Sequence, residues 1–85
     1  MVTSKAKILS MAKGYLTGHK HISGTFLLSA AIGNNTLSKD TAAEILKIQY
    51  NQLGKWSNPS SGRKDVISPK AGKRLAKYIV DHLTR

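Results

Sequence analysis

The sequence predicts an all-α fold, a small compact bundle of about four helices with a basic loop and a basic C-terminal helix. Three observations carry that expectation. Apolar residues recur at helical spacing along most of the chain, and Ser or Thr stands at the head of each such stretch, where its oxygen can cap the first N–H groups. The absence of cysteine leaves no disulfide or thiolate zinc site, so the chain must fold by packing alone or with a partner. Its 85 residues suit one domain, 1–85. At that length only about 60–65% of the unfolded surface can be buried, so the core is small. A hydrophobic content of 40% is enough for it and argues against a disordered basic tail.

The first helix runs from Thr3 to about Leu16, capped by Thr3 or Ser4, with Ile8, Leu9, Met11, Ala12, Tyr15 and Leu16 as its apolar arc and Lys7, Ser10 and Lys13 facing out. Met11 and Tyr15 read as core filling. Gly14 and Gly18 are both available to end this helix, and a loop containing His19, Lys20 and His21 follows. Ser23 then opens GTFLLSAAIG, whose length suits either a short buried helix or a buried strand; the serine cap, the two alanines and the terminal glycine favour helix. Asn34-Asn35-Thr36 reads as a turn, because Asn tolerates a left-handed backbone. Ser38 caps what reads as the longest helix, Lys39 to about Trp56. Its apolar arc of about 160° holds Ala42, Ala43, Ile45, Leu46, Tyr50, Leu53 and Trp56, with Asp40, Glu44, Lys47, Asn51 and Lys55 on the back. Residues 57–68 form a basic loop that Val66 and Ile67 can pin to the core. Ser68 as N-cap and Pro69 at the first helical position then start the last helix, where a proline's missing N–H costs nothing. Ala71, Leu75, Tyr78, Ile79 and Leu83 share one face of that helix, and Lys70, Lys73, Arg74, Lys77 and Arg85 the other.

The net charge is +10, and it is unevenly spread: residues 1–56 and residues 57–85 each carry seven Lys/Arg and two acids, so the last third is nearly twice as densely charged. Such self-repulsion is usually compensated by a polyanion. In the long helix Asp40 and Glu44 lie in the first turns and Lys47 and Lys55 towards the end, as the helix dipole prefers, with Lys39 alone against the trend. The C-terminal helix does the opposite: Lys70, Lys73 and Arg74 crowd its first two turns, where each cation is disfavoured by roughly 0.3–1 kcal/mol. Helix stability did not place them there. Arg63, Lys64, Ser68, Lys70, Lys73, Arg74 and Lys77, with Ser60 and Ser61 among them, form the candidate nucleic-acid-binding set. The competing reading is a solvated face of a cationic protein. The function expected is non-enzymatic binding of nucleic acid, DNA favoured over RNA, by a small regulator or packaging protein that grips the phosphate backbone. Such contacts imply affinity more than sequence specificity.

Other motifs fit less well. A helix-turn-helix built from Phe26 to Ile32, a turn at Gly33 to Asn35 and the helix from Lys39 puts Asn34 and Lys39 at positions that should be apolar, and sets Asp40 and Glu44 where phosphates would repel them. His19 and His21 are the only close histidine pair and the best enzymatic candidate, a small ribonuclease with Lys20 or another cation stabilising the reacting phosphate. Exposed loop histidines are the plainer reading of the same pair. His82 reads as structural. Trp56 and Tyr78 could stack on unpaired bases, with core packing favoured for both. No metal or cofactor is expected, since no acidic or thiol ligand accompanies the histidines and no glycine-rich phosphate loop is present. No apolar run approaches the roughly 18–20 residues of a membrane span. The lysines interrupting Met1 to Leu16 do not suit a secretory signal, so a cytoplasmic protein or one inside a nucleoprotein particle is expected. A homodimer would add burial to so small a core. The remaining readings are a basic protein docking on an acidic partner and a membrane-surface binder.

Overall fold

A computed structural model describes residues 4–18, 23–57 and 67–85, and among them every regular element is a helix. There are five: α1 (Lys5–Leu16), α2 (Gly24–Gly33), α3 (Lys39–Leu46), α4 (Tyr50–Trp56) and α5 (Pro69–Leu83). Four begin with a serine cap as expected. Ser4, Ser23, Ser38 and Ser68 each have extended backbone, and each side-chain oxygen accepts an N–H from the residue three further on. A Ser-to-Ala loss at such a position typically costs about 1 kcal/mol.

The helix ends explain the chain's direction changes. Gly18, at φ 92°, turns the chain after α1. After α2, Asn35 takes φ 64°; its N–H bonds to Ile32 O and that of Thr36 bonds to Ala31 O, the pairing of a Schellman end. The expected Asn34–Thr36 turn is therefore present, and residues 24–33 are helix rather than strand.

The expected continuous helix from Lys39 to Trp56 is not formed. Lys47 adopts the left-handed conformation, φ 54° and ψ 45°, and its N–H and that of Ile48 both bond to Ala43 O, closing α3. The physical reason lies in Ile48. In one uninterrupted helix it would fall about 240° from Ala42, on the polar back beside Glu44 and Lys55. With the break it is half-buried and packs against the core. The break also turns Tyr50, assigned to the apolar arc of a long helix, out to 58% exposure.

The core comes from all five helices. Ile8, Leu27, Leu28, Leu53, Leu75 and Ile79 are its largest fully buried side chains, each stabilising by about 1.5–3 kcal/mol. α5 is the central element: it packs most extensively on α1 and also on α2 and α3. Leu75, Ala76 and Ile79 are its buried side chains; of the expected apolar face Leu75 and Ile79 are buried, while Ala71, Tyr78 and Leu83 are half-buried. Gly72 permits the close crossing. A Cβ there would lie 2.7 Å from Tyr15 Cζ, and a Cβ on Gly24 would lie 3.3 Å from Gly72 Cα and 2.9 Å from the Ile67 side chain. The Cα radius of gyration, 11.3 Å, matches the roughly 12 Å of a compact chain this long. Two apolar expectations fail locally: Leu16, at the last turn of α1, is 39% exposed, and Phe26, on an α2 that is apolar all round, is 49% exposed. No helix among the described residues is long and apolar enough to cross a membrane.

Candidate nucleic-acid interface

The sequence places the cations of α5 on one side, and burial agrees. Lys70, Lys73, Arg74 and Lys77 are all exposed, while Gly72, Leu75, Ala76 and Ile79 are buried. At 100° per residue the four cations lie within an arc of about 100° and along about 10 Å of helix axis. Asp81 continues the same stripe one turn further on and ends its uniformly positive part.

α5 is held in place at its N-terminal end. Ile67 N–H donates to Thr25 Oγ1 at 3.0 Å, and Tyr15 Oη donates to Pro69 O at 3.5 Å. Those two bonds tie the start of α5 to α2 and α1. Val66, also expected to pin the loop, lies outside the described residues. The helix N-terminus itself offers an anion less than expected. Pro69 has no N–H, that of Ala71 goes to Ser68 Oγ at 3.2 Å, and that of Gly72 goes to Ser68 O at 2.9 Å. The first turn is largely self-satisfied, so any grip on phosphate falls to the cationic side chains. Ser68 is accordingly a cap first; its oxygen is committed to its own helix.

Of the candidate set, Ser68, Lys70, Lys73, Arg74 and Lys77 are thus brought together on one helix. Arg63 and Lys64, like Ser60, Ser61 and the histidine pair His19 and His21, lie outside the described residues. Neither aromatic is presented for base stacking. Trp56 is 5% exposed, with its indole in the core. Tyr78 is half-buried and lies in an offset stack with His82, ring centroids 5.8 Å apart and planes 8° from parallel. His82, read as structural, is exposed and stacks beside Tyr78.

A second polar surface escapes a reading based on one long helix. Gln49, Tyr50, Asn51, Gln52 and Lys55 are exposed along α4 and its N-cap, and Leu53 and Trp56 seat the other side in the core. The signal that could have found it is Ile48, the one apolar residue out of phase with the rest of the stretch. The chain matches no protein-family model, no curated protein and no solved structure.

Proposed function

We propose that this protein binds nucleic acid, DNA in preference to RNA, by neutralising backbone phosphates with the α5 cations, and that it works as a regulator or packaging protein rather than an enzyme. The observation that carries this reading is the exposed run Lys70, Lys73, Arg74, Lys77 on the first turns of the helix most embedded in the fold. The cations nearest the N-terminus, Lys70 above all, work against the helix dipole, and all four face solvent. One strand of a duplex carries a phosphate about every 3.4 Å, so about 10 Å of backbone offers about three phosphates to these four cations. A rigid helix holds them in one stripe, which reduces the ordering cost of each contact.

The test is binding of mixed-sequence duplex DNA and of RNA across a salt series, with the wild type and a K70Q/K73Q/R74Q/K77Q variant. If all four cations meet phosphates, the slope of log K against log salt should become shallower by about 3–4 for the variant on duplex DNA. The same affinity and slope for both proteins on every polynucleotide would overturn the proposal.

A further inference from the structure

We infer that α3, the turn Lys47-Ile48-Gln49 and α4 form a helix-turn-helix whose second helix reads base edges in the major groove of duplex DNA. This deepens the function proposed above and rests on it. α3 and α4 pack on each other and are joined by a three-residue turn, the length of connection that the motif uses. Lys47 supplies the left-handed residue that such a turn needs, and Ile48 packs the turn against the core. Leu53 and Trp56 fix α4 from beneath, at 0% and 5% exposure, so the outward face is presented by a rigid platform.

The chemistry of that face fits a groove. α4, YNQLGKW, contains no carboxylate. The break at Lys47 leaves Asp40 and Glu44 on α3, removing the repulsion that weighs against a motif whose second helix starts at Lys39. Asn51 and Gln52 are exposed amides, the side chains that pair with the N6 and N7 edge of adenine through two hydrogen bonds. Gln49 stands at the N-cap without spending its side chain on the cap. Tyr50, 58% exposed, offers an apolar surface of the kind that meets a thymine methyl. Lys47, exposed at the turn, flanks the amides as a phosphate partner. A-form RNA closes its major groove to side chains, so the partner is B-form DNA.

Binding-site selection from a pool of random duplexes tests this, with Trp56 fluorescence reporting that each variant is folded. Wild-type protein should enrich a motif containing A·T pairs. An N51A/Q52A variant should lose preference for the enriched duplex over random duplex by about 10-fold or more. The α5 glutamine variant should instead weaken binding to both duplexes alike. Survival of the preference in N51A/Q52A, or random-duplex binding with no enriched motif, would overturn the inference and leave the backbone-binding function standing. Failure to bind any polynucleotide would sink both.

Discussion

Replacing Lys47 by glycine separates two descriptions of residues 39–56 by the sign of one measurement. In the structure Lys47 sits at φ 54°, ψ 45°, a conformation that costs an L-residue roughly 1–2 kcal/mol through the approach of Cβ to the following carbonyl. Glycine is free of that term but loses about 0.5–1 kcal/mol more backbone entropy on folding. The balance is a stabilisation of about 0.5–1 kcal/mol for Lys47→Gly, a rise in Tm of about 3–6 °C for a domain of this size. Lys47→Ala keeps the Cβ, so it should change stability by no more than a few tenths of a kcal/mol. In an unbroken helix the order would reverse: glycine would cost about 0.7 kcal/mol relative to lysine, and alanine would be the better residue. Trp56 is the sole tryptophan and is buried beside the turn's own helix, so its fluorescence in urea titration follows the unfolding of this region directly. Destabilisation by glycine together with stabilisation by alanine would refute the break, and with it the separation of α4 from the carboxylates of α3.

Gly72→Ala should destabilise the wild type by about 1 kcal/mol, because displacing the half-buried Tyr15 ring outweighs a helix-propensity gain of about 1 kcal/mol; in a Tyr15→Ala background the same change should stabilise by about that gain. A double-mutant cycle by urea denaturation checks the change of sign. Ser29 is buried at 2% exposure and its hydroxyl finds no partner among the described residues, so Ser29→Ala should stabilise by about 1 kcal/mol, read as a higher urea midpoint at constant slope. Ser68→Ala should cost about 1 kcal/mol in the same assay and leave the salt slope of DNA binding nearly as in wild type, since the serine caps α5 and the cations make the contacts.

How much of this was legible depends on whether local or distant contacts decide a residue's conformation. The caps at Ser4, Ser23, Ser38 and Ser68 and the left-handed Asn35 are set by their own neighbours, and each can be read from a few residues. The amphipathic face of α5 is equally local, because the spacing of Ala71, Leu75, Tyr78, Ile79 and Leu83 fixes which side faces the core. The turn at Lys47 is different. No Gly, Pro or Asn marks it, and the preceding Glu44 to Lys47 spacing even suits a continuing helix. It forms because Ile48 gains burial against elements distant in sequence, a tertiary term that outweighs local propensity. Gly72 likewise looks like a weak point in α5 until Tyr15 and Gly24 are seen to approach it. Within the candidate site, the stripe on α5 was readable, and on α4 the outward placement of Asn51 and Lys55 was too; the exposure of Tyr50 and the separation of α4 from the acids of α3 were not, since they required finding the turn.

The placement of the carboxylates bears on both surfaces at once. The chain has only four acids for fourteen Lys and Arg, and three of them can be placed: Asp40 and Glu44 on α3, and Asp81 near the end of α5. None falls on α4 or on the first three turns of α5. A carboxylate pointing directly at a phosphate is repelled, so stretches without acids are where phosphate is most easily accommodated, although Asp81 lies only one turn beyond Lys77. The two cleared surfaces differ in kind. The α5 stripe is made of long cations that gain affinity from any phosphate backbone, whereas the α4 face is mostly amides and an aromatic ring, which gain little from phosphate and need a particular base edge. If the proposed function and the α4 inference both hold, the α5 glutamine variant should lower affinity and N51A/Q52A should lower selectivity, each largely without the other.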